Sequence, residues 1–159
     1  MSRVVRIVAV VAVFAFVAIQ LVPYGHDHTN PKVTKDAPWP TEQAAAIARA
    51  SCYDCHSNET KWRWYTNLAP ASFYTVHDVK EGRDHLNFSE WDTPQRAARD
   101  LEEVIREGSM PPREYTILHR GASLSAAEKK TLLDAIASMD PPPGGDRGRG
   151  RGDGDTDSD

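Results

Sequence analysis

The whole chain holds two cysteines, and both fall in the unit Cys52-Tyr53-Asp54-Cys55-His56. No other feature constrains the fold as strongly, because whatever chemistry these thiols carry must be built into one domain. Three readings compete for the pair. A thioredoxin-like dithiol needs a preceding strand in an α/β unit, and a structural zinc site needs two further ligands at recognisable spacing. Neither context is present. The adjacent histidine completes Cys-x-x-Cys-His, the c-type haem attachment signature: each thiol can form a thioether with a haem vinyl group, and the imidazole is held against the iron as proximal ligand. Cys52, Cys55 and His56 are therefore the candidate attachment residues for one covalent haem c.

The apolar residues are unevenly placed. Ile7 to Val22 is interrupted only by Gln20, although the mean hydropathy of the chain is -0.56. Arg3 and Arg6 precede this run and the next basic residue is Lys32, so the positive-inside rule puts the N-terminus in the cytoplasm and the remainder outside. No small-x-small cleavage site closes the run, which favours an uncleaved signal anchor over residues 1–22. The run is a little short of the ~20 residues of a full span, but Val4 and Val5 extend it past Arg6, whose side chain can snorkel. The expected location is the cell membrane, single-pass, with the rest of the chain on the extracytoplasmic side.

Residues 23–39 carry Pro23, Gly25, Asn30, Pro31 and Pro38 among short polar residues, the composition of an extended linker. His26 and His28 within it read as solvated linker histidines. Residues 141–159 begin with three prolines and continue in Gly, Arg and Asp, with too few apolar side chains to offset the entropy of ordering them. Arg147, Arg149 and Arg151 share that tail with aspartates, so it reads as a disordered, solvated end and no nucleic-acid partner is expected. Residues 40–140 remain as one domain of about a hundred residues, small enough that a bound cofactor would help fill its interior.

Three helices can be placed in this domain. The first takes Thr41 as N-cap and runs through Ala44 to Ala50, ending at the cysteine pair. The second takes Thr93 as N-cap and Pro94 as its first residue, gathers Ala97, Leu101, Val104 and Ile105 on one face, and stops at Gly108. The third has a capping box in Ser125 and Glu128, with Leu132, Leu133, Ile136 and Met139 at helical spacing. The aromatic-rich stretch 57–92 does not alternate strictly. A short helix near Ser72 to Glu81, ended by Gly82, suits it better than strands.

A haem iron at His56 needs a sixth ligand or an open site, and a methionine thioether raises the reduction potential, as suits an electron carrier. Met110 lies between Gly108 and Pro111-Pro112 on a stiffened loop, whereas Met139 belongs to an apolar helix stripe and Met1 is the initiator. Met110 is the leading axial ligand, with His77, His85 and His119 as competitors. Arg63, Arg83 and Arg113 are candidate donors to the haem propionates, as are the indoles of Trp62 and Trp64.

The pattern is also familiar as a whole. Cys52 to Thr60, Trp62-Arg63-Trp64-Tyr65, Leu68-Ala69-Pro70, Glu81-Gly82-Arg83, His85 to Ser89, Gly108-Ser109-Met110-Pro111-Pro112, Tyr115, Leu118-His119 and Leu124-Ser125 resemble, in order, the bacterial haem-binding domain family of small cytochrome c-like proteins. The resemblance covers essentially the whole domain. It implies an all-α, cytochrome c-like helical fold around one covalent haem, here behind an N-terminal transmembrane anchor helix. It also adds weight to Met110, because a Met-Pro loop supplies the distal ligand in similar cytochromes.

The expected function is one-electron transfer to an exported or membrane-bound redox partner protein, with binding and carriage rather than catalysis as the task. The alternative is a ligand sensor or peroxidase-like enzyme with an open distal side, where His77, His85 or His119 transfers protons. A third reading has haem only stabilising a subunit of a membrane complex.

Overall fold

The computed structural model describes residues 2–143. Met1 and residues 144–159, and with them most of the expected tail, lie outside the described residues. Helices α1 (Arg3–Ile19), α2 (Glu42–Ser51), α3 (Tyr53–His56), α4 (Ala71–His85), α5 (Leu101–Glu107), α6 (Arg113–Leu118) and α7 (Ala126–Ser138) carry the fold. Single 3-10 turns lie at Trp64–Asn67 and Arg120–Ala122. No strand occurs among the described residues, so the all-α expectation holds, and one isolated parallel bridge joins Lys35 to Glu90.

Local signals set several of these helices. Thr41 accepts a hydrogen bond from the Ala44 amide at 3.1 Å and starts α2. Ser125 and Glu128 form the reciprocal capping box that opens α7. Gly108, at φ +79°, ends α5 in the left-handed conformation that a glycine adopts without a Cβ penalty. The core lies where α2 and α5 meet α7 and where the loop after α4 turns inward. Phe88, at 1% exposure, sits at its centre: its ring stacks on Tyr53 at 5.4 Å and on Trp91 at 5.8 Å. Met139 is buried in the same cluster, as core packing requires.

The helix expected from Thr93 begins only at Leu101, with Asp100 as its N-cap. Tertiary partners take the backbone it would have needed. The Ala97 amide donates to the His85 carbonyl at 2.9 Å, and the Gln95 amide to the Pro143 carbonyl at 3.3 Å. The Gln95 side chain turns inward, accepting from the Asn87 amide and donating to the Glu90 carbonyl, each at 2.8 Å. Gly82 likewise fails to end α4, which continues to His85. Its missing side chain serves the packing of α4 on α3, as described below.

The segment expected to hold the domain off a bilayer lies along the domain. Asn30 donates to the Thr60 carbonyl, the Thr34 and Lys35 amides to the Ser89 carbonyl, and the Ala37 amide to the Phe88 carbonyl. His28, expected to be solvated, stacks on Trp62 at 4.4 Å with Nε2 3.0 Å from the Thr66 carbonyl, while His26 is exposed. The Pro, Gly and Asn content that reads as a linker therefore marks an irregular strap. A backbone that lies on a domain must find hydrogen-bond partners, and this one finds them in residues distant along the chain.

Helix α1 has no buried residue. At 1.5 Å per residue its length is about 26 Å against the ~30 Å of a hydrocarbon core. No helix among the described residues is long and apolar enough to cross a membrane. The amides of Gln20, Leu21 and Val22 continue the turn with bonds to the carbonyls three residues before. Gln20 is also the point where the run meets the domain: its amide group donates to the Ala69 carbonyl at 3.1 Å and accepts from the Ala69 amide at 3.0 Å.

Candidate functional site

Helix α2 delivers the cysteine pair. Ala44 and Ala48 have no exposed surface, so α2 packs closely against its neighbours and fixes where its C-terminal end points. Cys52 closes α2 and opens α3, with φ -124° and ψ -36° marking the break between them. The His56 amide then donates to the Cys52 carbonyl at 2.9 Å, holding the five-residue unit as one turn. The two thiols are half-buried and not joined in a disulfide. Burial pushes each thiol up to about 12, helped at Cys55 by the nearby carboxylates of Asp78 and Asp54, so both stay protonated. Between them Tyr53 points inward, its hydroxyl donating to Asp36 at 2.8 Å and accepting from the Trp39 indole at 3.0 Å.

His56 is held with unusual definition. Its Nδ1 lies 3.0 Å from both the Gly82 and the Leu86 carbonyl oxygens. Two acceptors at one nitrogen fix the proton there, so Nε2 is left as the bare, ligating nitrogen. Burial lowers the pKa of the ring more than the two carbonyls raise it, which keeps the imidazole neutral and able to ligate. Gly82 makes this geometry possible: a Cβ there would stand 2.5 Å from the Cys55 carbonyl oxygen.

A buried polar frame surrounds the unit, and its residues were not singled out by sequence reasoning as site residues. Ser57 donates to the Tyr53 carbonyl at 2.7 Å, and the Asn58 amide donates to the Ser89 hydroxyl at 3.0 Å. The Asn58 side chain accepts from Asn87 at 2.9 Å and donates to Glu90 at 2.8 Å. Arg83, expected as a propionate donor, is otherwise engaged: its guanidinium donates to the carbonyls of Ser57 and Thr29, to the Asn30 side chain and to the Thr60 hydroxyl. Trp62 donates to Asn30 at 3.1 Å. Both residues tie the strap to the Cys-His turn. Arg113 and Trp64 are exposed, and Arg63 lies 3.8 Å from Asp54.

The competing ligands are sorted by their surroundings. His77 and His85 are exposed, and His85 Nε2 lies 3.5 Å from Glu81. His119 has both nitrogens engaged, Nε2 at 2.7 Å from the Tyr65 hydroxyl and Nδ1 at 2.9 Å from the Tyr115 carbonyl. Tyr115 in turn donates to Asp54 at 2.8 Å, within the Cys-x-x-Cys unit itself. His119, Tyr115 and Asp54 line a cavity of about 290 Å³ together with Lys61 and Arg63. Met110 is 38% exposed on the loop after Gly108, its amide donating to the Val104 carbonyl at 3.2 Å. Cys52, Cys55 and His56 share the one turn at the end of α2, and Met110 is carried by a different element, the loop after α5.

The donor set fits a haem better than its rivals. Among the described residues no group of three or more His, Cys, Asp or Glu could hold a bare metal ion, so the zinc reading lacks ligands. Two unpaired thiols beside an imidazole with Nε2 free are what covalent haem attachment requires. The sequence profile described as Haem-binding domain matches residues 14–138. No curated protein and no solved structure matches the chain.

Proposed function

The chain belongs to the haem-binding domain family, and from that membership we propose a membrane-anchored c-type cytochrome that carries single electrons outside the cytoplasm. In this reading Cys52 and Cys55 would hold one haem through thioethers, and His56 Nε2 and Met110 would be the residues that ligate its iron. When bound, haem supplies one-electron redox chemistry at its iron. The protein's part is to hold and shield. The Gly82 and Leu86 carbonyls keep the proton of His56 on Nδ1, and Phe88, whose ring stands edge-on at 6.4 Å from that of His56, helps exclude water behind it.

The observation that carries the reading is the double acceptor at His56 Nδ1, which leaves Nε2 as a ligand of fixed direction. The anchor draws on α1, apolar on every side from Ile7 to Ile19, and on the added turn through Val22. Arg3 and Arg6 at one end favour a cytoplasmic N-terminus. The redox partner is an exported or membrane-bound protein.

The test is a pyridine haemochrome assay and a visible spectrum of the full chain, made in a host that attaches haem c. A c-type haemochrome with a six-coordinate, low-spin spectrum is expected, and Met110→Ala is expected to lose the low-spin form. A five-coordinate, high-spin spectrum in both redox states would overturn the carrier. It would favour the second reading, a ligand sensor or peroxidase-like enzyme with an open distal side, for which the exposure of Met110 is the supporting observation.

A further inference from the structure

Helix α1 is apolar around its whole circumference between Ile7 and Ile19, and none of its residues is buried against the protein. A helix with no polar face has no side to turn to water. Its far end carries Arg3 and Arg6, and its near end is clamped to the domain at three points. The Gln20 side chain pairs with both backbone groups of Ala69. Tyr24 packs on Phe73 with ring centroids 5.6 Å apart. Gly25, at φ +90°, is buried so closely that a Cβ would stand 2.8 Å from the side chains of Phe73 and Ser72. The end of α1 and the surface around Ala69 therefore share one level.

That surface is conspicuously aromatic and exposed. Trp64 is 76% exposed, Tyr74 70% and Leu68 42%; they come from the 3-10 turn, the first turn of α4 and, for Leu68, the residue that closes the 3-10 turn, on either side of Ala69. Leu21 and Tyr24, at the helix end, are exposed as well. Lys80 stands 6.0 Å from the Tyr24 ring. Amphipathic rings, one of them with a cation beside it, at the end of an apolar helix form the composition of a lipid headgroup zone. An exposed patch of this kind marks a contact surface.

We propose that the face formed by the 3-10 turn Trp64–Asn67 and the start of α4 seats on the phospholipid headgroup layer, with Trp64, Leu68 and Tyr74 as its anchors. The proposal rests on the anchor reading above and adds to it a fixed seat for the domain.

The test uses the full, haem-loaded chain in vesicles of phosphatidylcholine and phosphatidylglycerol that carry a diazirine close to the headgroup, with adducts mapped by mass spectrometry. Adducts are expected both in α1 and in the segment 61–76. The double variant Trp64→Ser, Tyr74→Ser is expected to lose the second set several-fold while keeping the first. Adducts confined to residues 3–22 would overturn the seat and leave the anchor standing. Adducts in neither region would overturn both. Chain-to-chain cross-links through segment 61–76 without lipid adducts there would assign the face to a second copy and overturn the seat.

Discussion

Gly82→Ala tests the packing that positions His56. In an ordinary exposed helix this change stabilises by about 1 kcal/mol, because glycine is the poorer helix former. Here the new methyl would meet the Cys55 carbonyl oxygen at 2.5 Å and its carbon at 3.0 Å, both backbone atoms with little freedom to yield. Ordinary contact begins near 3.4 Å, so α4 and α3 must separate by about 0.9 Å. Overpacking of this kind costs about 1–3 kcal/mol. The same movement stretches the two bonds at His56 Nδ1, worth about 1 kcal/mol. The net effect is a loss of about 2 kcal/mol, or roughly 8–16 °C in the melting temperature of a domain this size. Thermal unfolding of the haem-loaded chain by circular dichroism gives the measurement. Gly121→Ala, where a Cβ meets nothing within 4 Å, is the control and should melt close to the parent. A Gly82→Ala protein as stable as the parent, or more stable, would refute the close approach of α3 and α4 and with it the account of how His56 is aimed.

Removing the guanidinium in Arg83→Ala leaves the carbonyl of buried Ser57 without its donor and should cost about 1–3 kcal/mol; hydrogen exchange should quicken selectively in residues 27–37. Glu128 has its pKa lowered by the hydroxyl and amide of Ser125, so the folded chain holds its proton less tightly than the unfolded chain does. The stability this carboxylate adds is complete above its ordinary value of 4.5 and is lost as pH falls through the lower folded value. Glu128→Gln should therefore melt below the parent at neutral pH, with the gap closing under acid; a gap that widens there would be the contrary result. Truncating Phe88 to alanine should cost about 3–5 kcal/mol in a denaturant titration, since the ring is fully enclosed.

What the sequence makes legible is what neighbours in the chain decide. Thr41, Ser125 with Glu128, and Gly108 act within a turn of their own position, and all three are found in those roles. The Cys-His turn is legible for the same reason. Thr93 and Pro94 are an equally good local start, yet α5 begins later because Ala97 and Gln95 spend their hydrogen bonds on His85, Asn87 and Pro143. Gly82 looks like a stop signal because glycine's commonest use in a helix is to end it. Only the approach of Cys55 from another element reveals the other use. Arg83 has the charge of a propionate donor, and nothing nearby in sequence shows that the strap and the Cys-His turn already claim it. The signal that could have found the polar frame is the run Ser57-Asn58 paired with Asn87 and Ser89, short hydrogen-bonding residues beside an attachment motif.

The strap has a bearing on how an electron carrier of the proposed kind would meet its partner. As a free coil, residues 23–39 would let the domain wander by about 23 Å. Bound along the domain, they permit no such excursion. In the proposed carrier reach would be given up for orientation: a haem held at the Cys-His turn would keep one direction and one height, so a partner diffusing in the same plane would meet it without a rotational search, while a partner fixed at a greater distance would stay beyond contact.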